Sequence, residues 1–235
     1  MLEVAACGRG PYSEEVDVLR SRSGIAGLGS IGFAVLTFVG LFVANPPGGT
    51  YKAHDAVKYV ARGHHVAVFV SLYLLMLAVL GLIALVAYLR DVVGANPTGI
   101  RVGRLFAWLG LASAISFAAG WGIVLGNAIA HAYGGRGVVV PPTTTYLASE
   151  LGAVLIWGPG AILLGFALVA LAFGTPGTLP GWLRGATVIG GIGGILGPAF
   201  FPSLLILIWA LVFGIWLVLA GRRTEVAAPA APAIG

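Results

Sequence analysis

Few side chains in this sequence could do chemistry. Its 235 residues hold eight carboxylates, one cysteine and four histidines: His54, His64, His65 and His131. Imidazoles joined by a carboxylate form a ligand set for zinc or another divalent metal. Two imidazoles from facing helices can hold a haem between them, and a glutamate beside a histidine can relay protons. His64, His65, His131 and Glu150 are the candidate metal ligands. Asn127, Glu150 and Pro159 are the candidate ligand-binding residues, Asn127 lying one helical turn before His131 on the same face. Against a metal, His64 and His65 are adjacent, so on a helix they point about 100° apart and cannot both face one ion. No HExxH or comparable spacing occurs, and the alternative is that these groups face headgroups and water.

Whether they meet depends on the elements that carry them. The chain is 59% hydrophobic and 9% charged, against roughly 25% charged in an ordinary soluble domain. Its apolar blocks are too long for the strands of an outer-membrane barrel, which alternate over about ten residues. The composition is that of an all-α, polytopic membrane protein. Residues 1–23 read as a polar cytoplasmic tail or short surface helix. Spans follow at about 24–44, 66–89, 105–129 and 147–173. From Trp182 to Gly221 only Arg184 is charged, and one helix of that length would rise about 60 Å, twice the hydrocarbon thickness. Pro198 and Pro202 interrupt it, so it divides into spans 182–200 and 204–221 joined by a tight turn. Residues 224–235 are rich in Ala and Pro and read as a disordered tail.

Charge tests this six-helix reading. With six transmembrane helices, nine arginines share the side of both termini: Arg9, Arg20, Arg22, Arg90, Arg101, Arg104, Arg184, Arg222 and Arg223. The other side carries Lys52, Lys58, Arg62 and Arg136. With the last stretch as one span the bias nearly vanishes. The positive-inside rule thus predicts a six-helix bundle with both termini cytoplasmic. All four histidines, Asp55 and Glu150 then fall on the extracytoplasmic side.

Several function classes drop out. The net charge of +5 is spread over segment ends rather than gathered in a patch, which argues against nucleic acid. The single Cys7 excludes an internal disulfide, a four-thiolate cluster and covalent c-type haem. Both lysines lie in a loop, so no span offers an amine for a Schiff base. No phosphate loop, dinucleotide fingerprint or Gly-x-Ser-x-Gly turn is present. Val4-Ala5-Ala6-Cys7 looks like a lipoprotein cleavage site, but Met1 to Ala6 leaves no room for a signal peptide. The halves do not repeat, which gives an inverted-repeat transporter little support.

In lipid, helices associate by close packing, so small residues mark contacts. Ala114, Ala118, Gly122, Gly126 and Ala130 are spaced four apart and are expected to form one packing face on the third span. Gly190 with Gly194, and Gly193 with Gly197, do the same on the fifth. These stripes read as packing within the bundle, the alternative being self-association. Gly158-Pro159-Gly160 predicts a kink in the fourth span, which could open a pocket for a lipid or small molecule.

The run Thr144-Thr145-Tyr146-Leu147-Ala148-Ser149-Glu150-Leu151-Gly152-Ala153 precedes a span. Leu179-Pro180-Gly181-Trp182-Leu183-Arg184-Gly185 follows it, and the last pair of spans ends in Arg222-Arg223. A segment from Tyr59 to His64 opens the second span. In these features the chain resembles a group of uncharacterised bacterial multi-pass proteins catalogued as a domain of unknown function. The resemblance covers about Gly24 to Arg223. It implies six helices in a bacterial plasma membrane and supplies no activity, cofactor or catalytic residue.

The sequence therefore points to a non-enzymatic multi-pass membrane protein, an accessory subunit or a binder of lipid or small apolar ligands. Its partners would be the bilayer and possible membrane subunits or a second copy. The alternative is a small redox protein holding a divalent metal or haem through the extracytoplasmic His/Glu cluster; no cofactor is predicted otherwise. A proton- or ion-coupled carrier using Glu150 and Asn127 is a further alternative.

Overall fold

The computed structural model describes residues 11–45, 54–55, 58, 65–95, 99–133, 141–174 and 179–226, with residues 11–21, 65, 131–133, 142 and 222–226 as backbone only. The described residues are helical and contain no strand. The helices are α1 Pro11–Ala44, α2 His65–Gly94, α3 Ile100–Tyr133, α4 Pro142–Leu155, α5 Ala161–Gly174, α6 Gly181–Ile195 and α7 Leu204–Val226. Five stretches are long and apolar enough to cross a membrane: Arg22–Ala44, Val66–Gly94, Ile100–Ala130, Thr143–Gly174 and Phe201–Gly221.

The break signals act largely where the sequence places them. α1 ends at Asn45, whose φ of 39° is the left-handed conformation common for a residue closing a helix. Pro142 and Gly181 open α4 and α6. At the start of α1, helix begins at Pro11 and runs unbroken through residue 23 into the first apolar stretch, which itself starts at Arg22. No proline intervenes before Ala44, and a single glycine such as Gly24 costs a helix only about 1 kcal/mol. Helix likewise runs to Val226 at the other end, past the expected tail boundary; residues 227–235 lie outside the described residues.

Around the bundle, neighbours follow chain order. α1 packs on α2 and α7, α3 on α2 and on α4–α5, and α6 on α5 and α7, so α7 closes the ring against α1. Phe33 of α1 meets Phe117 of α3 across the interior, ring centres 5.9 Å apart. The close contacts run through glycine pairs. A Cβ on Gly27 would lie 3.0 Å from the Gly214 carbonyl, and one on Gly165 2.6 Å from that of Gly191. Gly29 and Gly81 stand in the same relation between α1 and α2.

These pairs uphold the expected packing role of the α6 glycines. Gly190 lies against Trp209, Gly193 against Leu205, and Gly194 against Gly165. They correct the reading of α3. Ala114 is buried, but a Cβ on Gly122 or Gly126 would meet nothing within 4 Å, and Ala130 is exposed. Four residues rotate a helix by about 400°, so a strict spacing of four winds roughly 40° further round at each step. Over its length the stripe leaves the packed face. The working stripe alternates four and three: Ser113, Phe117, Gly120, Val124.

The α6–α7 hairpin is shorter than its neighbours. α6 has 15 residues, a rise of about 22 Å, and the chain reverses through two short 3₁₀ turns, Gly197–Ala199 and Phe201–Ser203. Gly197 abuts the Trp157 carbonyl and Ala161, and the Phe200 ring lies 4.9 Å from Trp157. The tip therefore sits beside the middle of the α4–α5 rod. Beyond that level α4 rises through 14 residues, about 21 Å. From Trp121, whose ring centre is 6.5 Å from that of Trp157, α3 continues to Tyr133, about 18 Å further.

Candidate functional site

The kink expected at Pro159 is present and is built as a π-turn. Proline has no N–H for the carbonyl one turn back, and the chain answers with one wide turn, Ile156–Gly160. Gly158 adopts φ −81°, ψ −107°, and the Ala161 N–H donates to the Ile156 carbonyl. Ser113 of α3 fastens the bend: its Oγ donates to the Gly160 carbonyl at 2.6 Å, fully buried. Pro159 itself is exposed on the outer side of the rod. Inside the bend lies a small cavity lined by Phe33, Thr37, Trp121, Ile156, Trp157 and Ser203, with 20 Å³ of free space, room for about one water.

Gly152 marks the face of α4 turned to α3, since a Cβ there would sit 2.6 Å from Val124 and 2.7 Å from the Gly120 carbonyl. Glu150 lies two residues earlier, about 160° round the helix from that face. It shares its side instead with Trp157, seven residues on. That side looks toward the hairpin tip, where Trp157 stacks edge-on against Phe200 and Phe200 against Phe201. Glu150 is half-buried, with no ion pair or hydrogen bond among the described residues. It stands about 10 Å above the aromatic tip.

Asn127 continues the α3 stripe that faces α4. Its Nδ2 is buried and has no hydrogen-bond partner among the described residues, and the same holds for Ser71 Oγ on α2. Both lie above the hairpin, in the part of the bundle built from the long helices. The backbone thus directs Asn127 toward α4 and Glu150 away from α3, and does not aim the two at each other.

Of the candidate metal ligands, His64 lies outside the described residues, and His65 and His131 are placed as the first residue of α2 and a residue of the last turn of α3. Among the described residues no three His, Cys, Asp or Glu side chains converge on a point. His54 and Asp55 are exposed, 3.6 Å apart. The sequence reading missed Ser71 and Ser113. A serine inside an apolar span is the available signal, since its hydroxyl must find a carbonyl in lipid.

Comparison with protein-family models, with curated proteins and with solved structures finds no match for this chain.

Proposed function

We propose that this chain is a non-enzymatic membrane protein with six membrane-embedded helices and both termini cytoplasmic, in a bacterial plasma membrane, and that it binds a lipid or small apolar ligand on the step above the α6–α7 hairpin. The observation that carries this reading is the depth of the hairpin tip, level with the kink of α4–α5. Above it the α4 face remains uncovered: Leu147, Leu151 and Val154 are exposed, and the floor is formed by the exposed Phe200 and Phe201.

The tip suits lipid. Residues 195–202 contain no charged or amide side chain. Several of its N–H groups are satisfied locally, Ala199 donating to Leu196, Phe200 to Gly197 and Ser203 to Phe200, which suits a bilayer interior. A hairpin that enters and leaves on one side keeps both termini together, and the arginine bias makes that side cytoplasmic. Among the described residues Glu150 is the carboxylate overlooking the step, and it would meet the polar end of the ligand.

Native mass spectrometry of the gently solubilised protein tests this. Wild type is expected to retain an apolar adduct, and Leu151→Asn and Phe201→Asn to lose it. Adduct-free wild-type protein, or adducts indifferent to both substitutions, would overturn the reading.

A second reading, a proton- or ion-coupled carrier, draws support from Asn127, whose buried Nδ2 has no partner among the described residues. Transport unaffected by Glu150→Gln and Asn127→Leu would remove it.

A further inference from the structure

At the opposite end of the bundle, the apolar run of α2 ends in Arg90-Asp91 and that of α3 begins after Arg104. Between them lies a groove of about 640 Å³, open to the surroundings, with Arg90, Asp91 and Arg104 at its polar end and Ala107, Trp108 and Leu111 along its apolar wall. This volume falls within the range of small-molecule sites. Its polar and apolar ends follow the helix axis, so charge meets the headgroup layer while Trp108, 67% exposed, reaches toward acyl chains. An exposed tryptophan one turn inside an arginine is the usual marker of the membrane interface.

The charge balance identifies the occupant. Asp91 already faces two guanidinium groups. Arg90 Nη2 is 3.1 Å away with Nε also donating at 3.2 Å, and Arg22 of α1 approaches to 3.7 Å. Arg104 has no ion pair among the described residues, and Arg101 is exposed beside it. Two guanidinium groups and one carboxylate line the groove, which leaves it net positive beside an apolar wall. A guanidinium recognises phosphate through paired, charge-assisted hydrogen bonds, and basic pockets between transmembrane helices take anionic headgroups.

We propose that this groove is a binding site for an anionic glycerophospholipid, its phosphate between Arg104 and Arg90 and one acyl chain along Trp108 and Leu111. Asp91 serves as a positioning residue: it holds Arg90 and Arg22 at the groove mouth and so ties α1 to α2 at the site. The proposal rests on the membrane placement given above but not on the step over the hairpin, which lies at the other end of the bundle.

The test uses the full chain in nanodiscs or mild detergent, with phosphatidylglycerol and phosphatidylcholine as probes and inorganic phosphate as a third arm, read by native mass spectrometry. Phosphatidylglycerol is expected to be retained in preference to phosphatidylcholine. Arg104→Gln and Arg90→Gln should each weaken that retention about fivefold. Arg184→Gln should leave it unchanged, because that arginine lies elsewhere, 5.8 Å over the Phe173 ring. Equal retention of the two lipids, or equal loss in Arg104→Gln and Arg184→Gln, would overturn the proposal. So would full displacement by inorganic phosphate, which would identify a free-anion site. Leu151→Asn should not alter phosphatidylglycerol retention, so failure of the hairpin-step reading is distinguishable from failure here.

Discussion

Gly120 of α3 and Gly152 of α4 face each other so closely that a Cβ on either would lie 2.8 or 2.7 Å from the other's carbonyl oxygen. Backbone would have to move to admit a methyl group, because neither obstacle is a flexible side-chain end. Gly120→Ala and Gly152→Ala are each expected to destabilise the fold by about 1–3 kcal/mol. Gly122→Ala and Gly126→Ala add a methyl group to open space and should be neutral or mildly stabilising, since alanine favours helix. Denaturation in detergent, followed by circular dichroism, checks the contrast. Equal effects at all four positions would contradict the packing described.

That contrast shows what the sequence makes legible. Blocks of apolar residues ending at Asn45, at Arg90-Asp91 and at Gly174 specify long helices directly, because a helix in lipid satisfies its own backbone. Pro159 and Pro198 mark the kink and the reversal through their missing donors. Which glycines touch a neighbour is harder to read. Gly120 and Gly122 are both small residues in one apolar span, and only the rotation of about 200° between them decides that one packs and the other does not. The depth of the hairpin was hidden for a related reason. Leu196 to Phe201 would be equally apolar at any level of the bundle, and only the contact of Gly197 with Trp157 sets it beside the kink of the α4–α5 rod. For the candidate site, the sequence located Glu150 and Asn127 at one end of the bundle, but their directions depend on which face of α4 meets α3.

Phe200 has φ 63° and ψ −67°, a rare γ-turn conformation for a residue with a side chain. Such strain costs roughly 1–3 kcal/mol, and it lets the chain reverse between Pro198 and Pro202. Removing the ring costs its edge-on contacts with Trp157 and Phe201 in any variant. Phe200→Gly is nevertheless expected to be more stable than Phe200→Ala, by about 1 kcal/mol, because glycine accepts positive φ without penalty. Ordinarily alanine is the better residue, so the inverted order is diagnostic. Comparison of unfolding midpoints for the two variants is sufficient.

Among the described residues, side-chain hydrogen bonds join neighbouring helices in the apolar interior. Ser30 Oγ donates to the Ala210 carbonyl at 2.6 Å between α1 and α7, and Ser113 Oγ to that of Gly160. Trp209 Nε1 donates to Thr187 Oγ1 at 3.0 Å, and Thr187 in turn donates to the Leu183 carbonyl. Such bonds in membrane bundles average about 0.6 kcal/mol with a ceiling near 1.7. Ser30→Ala and Ser113→Ala should therefore weaken the fold within that range. Ser113→Ala should in addition loosen the kink, seen as faster amide hydrogen exchange in residues 156–164 than in wild type. Unchanged exchange there would mean that the π-turn is held by Pro159 and its own α-helical flanks.

Asn127 offers the sharpest separation of structure from function. Its Nδ2 carries two donors, is buried, and meets no acceptor among the described residues. An orphaned buried donor costs about 1–3 kcal/mol relative to a satisfied one. If the amide had only a structural place, selection for stability would favour a hydrocarbon side chain in this setting. Asn127→Leu is thus expected to raise the unfolding midpoint, whereas Asn127→Ala removes the donors but leaves unfilled space and should gain less. The same substitution discriminates between the functional readings. Lipid retention at the hairpin step should survive Asn127→Leu, because Asn127 faces α4 from the α3 side and Glu150 overlooks the step from the other. Ion-coupled transport, if the bundle performs it, should fall, the amide being, with Ser71 Oγ, a buried polar group left without a partner among the described residues. A lower midpoint for Asn127→Leu than for wild type would show instead that the amide is satisfied in the membrane, and the structural basis of the carrier reading would go with it.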